Sequence, residues 1–240
     1  PRPEQCELLR KELHGALVTD SNETVAAAAE TLLFAVKPQI LKTVCEGLRK
    51  NVQQRKPLIM SIAAGPRIDD IEAWLGGKLS VVRVMPNQPA LIDQGISALF
   101  ANARTDADGR AMAEKIMSAV GEVVWLDSES RMDAVTAVSG TGPAYFYLLI
   151  DVMIETAIDL GIDPKTARTL AVETARGATA LASAGEESMS LMIDRVRSPG
   201  GTTTAAFEYL EKHDARGIFA RAIVAARDRA AELAISPVKQ

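Results

Sequence analysis

Ser198-Pro199-Gly200-Gly201-Thr202-Thr203 is the stretch of this chain best equipped to hold a small molecule. Pro199 ends a charged, helical segment (Glu186–Arg197), because a proline ring fixes φ and removes a backbone donor. Gly200 and Gly201 open backbone angles closed to other residues and let a ligand come close. Thr202, Thr203 and Thr204 then bring hydroxyls to the start of the next helix. Unpaired N–H groups and a partial positive charge favour a small anion there, such as a carboxylate. Ser198, Gly200, Gly201, Thr202 and Thr203 are therefore candidate binding residues. The same residues also suit an ordinary helix–helix turn with a threonine cap, and the loop alone leaves both readings open.

Two further stretches could approach a flat ligand: Ala35-Val36-Lys37-Pro38 and Ile62-Ala63-Ala64-Gly65. Each follows an apolar run that reads as a buried strand. In an open parallel sheet, ligands bind beyond the carboxyl ends of the strands. Lys37 could reach a phosphate or a ribose, or be a solvated lysine at a strand end. Ser139-Gly140-Thr141-Gly142-Pro143-Ala144-Tyr145 reads as a Gly-rich helix–helix corner, with Pro143 in the first turn of the next helix. His14, on a surface helix, and His213, in a turn, have neither a nucleophile nor a metal partner nearby in sequence. HExxH, CxxC and GxSxG patterns are absent, and Cys6 and Cys45 lack metal spacing. No metal site is expected, and the chemistry falls to a cofactor that the protein positions.

The elements that must place these residues follow from patterning. Apolar runs at Leu32–Val36, Leu58–Gly65, Val81–Met85, Ile96–Asn102 and Val123–Leu126 read as strands, with a further short strand at Val18–Thr19. Helical patterns lie between them at Glu4–Leu13, from Ser21-Asn22-Glu23-Thr24 onward, and at Gln39–Gln53, Ile68–Leu75 and Asp106–Val120. Alternation of this kind predicts a doubly wound parallel sheet of the nucleotide-binding type. From Ser128 onward only helices are expected: Glu129–Val138, Pro143–Leu160, Pro164–Ala184, Glu187–Arg195, Thr203–Lys212 and Ala215–Leu233. Pro143–Leu160 is apolar almost all round and must be buried, here against a second chain. Residues 1–126 and 127–240 are thus expected to be an α/β domain and an all-helical domain.

The chain has 240 residues, of which 48% are hydrophobic, enough for an ample core. Its net charge of −4, with bases and acids interspersed, favours neither nucleic acid nor an anionic membrane as partner. The most apolar segment, Tyr145–Ile154, is short for a bilayer and carries Asp151. Two widely spaced cysteines and no visible signal peptide predict a cytoplasmic location.

Taken in order, Ala35–Gln39, Ser61–Gly65, Val82–Asn87, Met132–Thr136, Ser139–Tyr145 and Ser198–Thr203 resemble the pyrroline-5-carboxylate reductases. The similarity runs over essentially the whole chain. It implies reduction of the cyclic imine 1-pyrroline-5-carboxylate to L-proline with NADPH, or less well NADH. It also implies an N-terminal Rossmann domain and a C-terminal helical domain that forms a homodimer, often assembled further into decamers. By the resemblance, Asn22 lies near the adenosine of the cofactor, while Val36, Lys37, Ala63 and Ala64 lie near its ribose and nicotinamide. Glu129 is a substrate-region carboxylate. Gly201, Thr202 and Thr203 hold the substrate carboxylate from the partner subunit, and Thr203 is the catalytic hydroxyl beside the ring nitrogen. Ala35, Pro38 and Ile62 join the cofactor set through the two strand-end loops.

The family's opening strand and Gly-rich pyrophosphate loop have no counterpart in these residues, so the Rossmann domain is expected to be incomplete at its N-terminus, with Arg2 a remnant of the loop that reads the 2′-phosphate. Gln88 stands where the family has a threonine, and Thr141 where it has a serine. Two other functions stay open on this reading: a non-catalytic dimerisation scaffold, and a related imine or hydroxyacid reductase. The absence of lysine between Asp127 and Leu160 argues against a hydroxyacid enzyme.

Overall fold

The structure is a computed structural model and describes residues 3–235. Arg2 lies outside the described residues. By internal contacts the chain divides into two compact units: residues up to Gly140 together with those from Ala226 onward, and Thr141–Ala225.

The first unit is built on five strands: β1 (Thr31–Phe34), β2 (Leu58–Ser61), β3 (Val81–Met85), β4 (Gly95–Ala101) and β5 (Gly121–Trp125). They lie side by side in chain order. β1, β2 and β3 run parallel, as do β4 and β5. The β3–β4 pair is antiparallel, so the sheet is mixed and the all-parallel expectation is corrected. The reason is the link Pro86–Gln94, which holds one 3₁₀ turn (Gln88–Ile92). A parallel partner needs a crossover of a dozen or more residues, and this link is too short to supply one.

Helices flank both faces. Leu32 and Phe34 of β1, Ile59 of β2 and Val81 of β3 pack with α3 (Pro38–Arg55) and α4 (Ile68–Trp74), alongside Ala26 of α2 (Asn22–Ala28). Met60, Val82, Val84 and Leu99 point the other way, onto α5 (Ala107–Ser118). This is the period-two alternation of strands covered on both sides. Cys45 sits on the buried face of α3, and burial pushes its thiol up to about 12, with the charge of Glu46 adding to the effect.

Val18 and Thr19 form no strand. Their carbonyls accept from side chains of α1 (Pro3–Glu12): Arg10 Nη2 reaches Val18 O at 3.2 Å, and Cys6 Sγ lies 4.0 Å from Thr19 O. His14 lies in the turn after α1 and not on the helix.

After β5 the chain is helical. A 3₁₀ turn (Glu129–Arg131) leads into α6 (Met132–Val135) and a π-helical turn, Thr136–Gly140. The expected Gly-rich corner at Ser139–Gly142 is therefore a wide helical turn running up to α7 (Gly142–Asp159). A Cβ on Gly140 would run into Met85, so glycine lets this turn lie against the end of β3. In the second unit α7 packs on α8 (Pro164–Ser183), where the small side chains of Ala167 and Ala171 are buried. Asp163 caps α8 by accepting from Thr166 N at 3.1 Å, and hydrogen bonding with Thr166 holds its carboxyl below the usual range. Then follow α9 (Met189–Val196), α10 (Thr202–Lys212) and α11 (Ala215–Ile235).

Phe146, Tyr147, Leu148 and Leu149 on α7 are each more than half exposed. The helical stretch Glu129–Asp159 is long and apolar enough to cross a membrane by length and composition, well beyond the short segment Tyr145–Ile154.

Candidate functional site

The carboxyl ends of β1 and β2 carry the two candidate cofactor loops. Phe34 pairs with Ser61, and Ile62 N donates to Phe34 O at 3.1 Å. This register sets Ala35-Val36-Lys37-Pro38 beside Ile62-Ala63-Ala64. Pro38 starts α3, and its lost N–H costs nothing in a first turn. Ala35, Lys37 and Ala64 are exposed, whereas Ala63 is buried and its N–H bonds Ser61 Oγ at 3.3 Å. The arrangement gives a low backbone ledge fringed by methyl groups and one flexible ammonium. Asn22 is elsewhere in the same unit, exposed, as the first residue of α2. Ser21 caps that helix, accepting from Thr24 N at 3.1 Å.

Glu129 is drawn to the same end of the sheet. Its Oε1 accepts from Ile68 N, at the start of α4, at 2.8 Å. The same oxygen pairs with Arg83 Nη1 at 3.1 Å. Arg83 is a β3 residue in register with Ser61, and its side chain is only 5% exposed. Alternate residues of this stretch meet the helical segment after β5: Arg83 touches Glu129, Met85 lies against Gly140, and Asn87 Nδ2 reaches Ser139 Oγ at 3.5 Å. Asn87 also ties down β4, its Oδ1 accepting from Ile96 N at 3.0 Å. Sequence reasoning passed over Arg83 and Asn87. An arginine inside an otherwise apolar strand was the signal available, since an unpaired buried charge is too costly to leave unexplained.

The Ser198–Thr203 loop belongs to the second unit. Gly201 N donates to Ser198 O at 2.9 Å, and Gly200 has φ +70. With Pro199 at the second position, that is a type II turn, which demands glycine at the third. A Cβ on Gly201 would collide with Ser198 Oγ and lie 3.1 Å from Ser198 O. Gly201 is the N-cap of α10 and offers no side-chain cap. Thr202, Thr203 and Thr204 follow as its first turn, and among the described residues their N–H groups have no acceptor. Thr204 Oγ1 donates back to Ser198 O at 2.7 Å, which leaves the hydroxyls of Thr202 and Thr203 uncommitted among the described residues. The loop is thus a turn that presents bare helix N–H groups rather than a capped helix start.

Among the described residues no group of three metal-ligating side chains stands together. His213 meets Tyr209 in a tilted contact, with ring centroids 4.4 Å apart and planes at 43°.

A wound α/β sheet with two small-residue loops at its carboxyl ends, followed by helices alone, is the architecture of a Rossmann-type oxidoreductase. Residues 129–233 match the family profile for pyrroline-5-carboxylate reductase dimerisation, and residues 1–65 match that of NADP oxidoreductase, coenzyme F420-dependent. The pyrroline-5-carboxylate reductase of Pseudomonas aeruginosa is 44% identical over 217 residues, covering 90% of this chain and 79% of its own length. That of Haemophilus influenzae is 37% identical, covering 90% of this chain and 79% of its own length. The solved structure of a pyrroline-5-carboxylate reductase from Coxiella burnetii superposes with TM-score 0.88 at 38% identity, covering 97% of this chain and 86% of that one. A Plasmodium falciparum pyrroline carboxylate reductase with NADP bound superposes with TM-score 0.84 at 27% identity, covering 90% and 81% of the two chains. The chain belongs to the pyrroline-5-carboxylate reductase family.

Proposed function

We propose that this chain reduces 1-pyrroline-5-carboxylate to L-proline, taking its hydride from NADPH in preference to NADH. The observation that carries the reading is the pair of ligand-holding features in a chain of this family. One is the ledge Ala35–Pro38 with Ile62–Ala64, and the other is the bare helix start Gly201–Thr203. The exposed methyl groups and peptide edges of the ledge fit a flat ring and ribose, with Lys37 at the rim. The bound nicotinamide supplies the hydride. Everything else is positioning, which by itself can favour such a reaction by about 7–11 kcal/mol at best.

The division of labour follows from the chemistry of an imine acid. Ser198, Gly200, Gly201 and Thr202 shape or donate to the substrate carboxylate through backbone N–H groups. Thr203 offers a hydroxyl to the ring nitrogen, so that the neighbouring carbon is electrophilic when the hydride arrives. An iminium can take its proton from water, so no strong general acid is required. Glu129 faces the substrate's cationic edge. Asn22 serves the adenosine side of the cofactor. On this reading residues 1–126 carry the nucleotide and 127–240 carry substrate binding and dimerisation. The exposed apolar surface of α7 is then the seat of a second copy, and the free, buried Cys6 and Cys45 suit a cytoplasmic protein.

The test is NADPH oxidation, followed optically, with pyrroline-5-carboxylate between pH 6 and pH 9, and proline identified as product. Turnover that generates proline is the expected outcome. Tight NADPH binding without turnover would refute the assigned reaction.

A further inference from the structure

Arg83 has no role in the reaction just described, yet it is the most conspicuous charge inside the sheet. It sits on β3 among Val81, Val82 and Val84, all essentially buried. Burying a guanidinium is costly unless it is well paired, and an apolar residue of similar volume usually serves stability as well or better. Among the described residues its one ion-pair partner is Glu129. Arg83 Nη1 and Ile68 N both bond Oε1 of that carboxylate, and Oε2 accepts nothing among the described residues. One oxygen is therefore anchored from two directions and the other is left to offer. The anchors come from the strand beside Ser61 and from the helix that follows the Ile62–Ala64 ledge.

We infer that Arg83 is a positioning residue: it holds the Glu129 carboxylate at the carboxyl end of β2 and β3, so that the oxygen left over faces the cationic edge of the imine acid. This deepens the proposed function and rests on it. The pairing also offsets the charge of Glu129, so that the substrate's own carboxylate is not repelled. Preorganised groups of this kind need no rearrangement as charge develops.

The experiment uses the full chain with Arg83→Met, Arg83→Lys, Glu129→Gln and the double variant Arg83→Met/Glu129→Gln. Wild-type turnover is measured first. Arg83→Met should lower kcat/KM for the imine acid on the order of 10²-fold, as misplacement of a contact group by about 1 Å can. Its KM for NADPH should stay within about twofold of wild type, and Arg83→Lys should recover part of the loss. In the Glu129→Gln background, Arg83→Met should add no more than about twofold, because the two residues act as one unit. Amide exchange at Ile68 should quicken in both Arg83 variants. The inference is overturned if Arg83→Met keeps wild-type kcat/KM, if its loss multiplies fully with that of Glu129→Gln, or if NADPH and imine KM values rise together. Should Arg83→Met not fold, Arg83→Lys decides by the same imine-selective loss. A wild type that leaves the imine unreduced overturns the proposed function; the Ile68 amide then judges the pairing alone, supporting it if exchange quickens and overturning it if exchange is unchanged.

Discussion

Thr203 and Cys45 show how differently two small side chains can be used. Thr203 stands in the first turn of α10 with its hydroxyl uncommitted among the described residues. Thr203→Ala should lower kcat by about 10²-fold, the usual cost of losing one donor to a reacting centre, with the NADPH Kd almost unchanged. Thr203→Ser should keep most of the activity, and steady-state kinetics with calorimetry separate the two effects. Cys45 is instead a core residue, its thiol raised from an ordinary 9.0 to about 12. A neutral buried thiol favours the folded state while the unfolded thiol is also neutral. That contribution is complete below about pH 9 and is lost as pH rises towards about 12. Urea midpoints should therefore fall over that window, and less steeply in Cys45→Ala. The native thiol should resist alkylation at pH 8 and react once the chain is unfolded.

At the scale of elements, the start of the β4–β5 pair is a close approach of two backbones. Gly121 has φ +139, and a Cβ there would run into the backbone of Gly95, its register partner. Gly121 is needed because the Gly95 backbone stands where its side chain would be, and Gly95 because a Cβ there would press on Ala90 at 2.9 Å. Gly121→Ala should cost about 2–3 kcal/mol, combining positive-φ strain with the clash, as read from urea denaturation. The elements were largely legible in the sequence: all five strands of the sheet appear within a few residues of the expected runs. Direction was not. Val81–Met85 and Ile96–Asn102 are both apolar runs, and an apolar run reads the same in either direction. Only the short Pro86–Gln94 link, with its 3₁₀ turn, reverses the chain. The strand expected at Val18–Thr19 failed for a related reason, since extended residues need a ladder partner and these carbonyls bond side chains of α1 instead.

For the whole molecule the question is what the exposed apolar surface of α7 does. Phe146, Tyr147, Leu148 and Leu149 together are more than solitary exposed apolar residues, which surfaces carry routinely. A second copy is the occupant that a dimerisation family profile over residues 129–233 supports. If a second copy seats there, as proposed, Leu149→Glu should leave monomers in light scattering. Because the resemblance brings the Gly201–Thr203 loop from the partner, that variant should also lose turnover while its far-UV circular dichroism is preserved.

The order of residue types along the chain determined the strands, the helical second half, the small-residue ledges and the Gly-Gly-Thr turn. These depend on local period, on glycine and proline geometry, and on which groups a turn can expose. Tertiary structure alone decided that β4 runs against β3, that Ser139–Gly142 lies at the end of a wide helical turn, and that Arg83 donates to the carboxylate of Glu129, 46 positions away. Register between strands and the pairing of a buried charge are set by contacts between distant segments, and no local pattern records which distant segment will supply them.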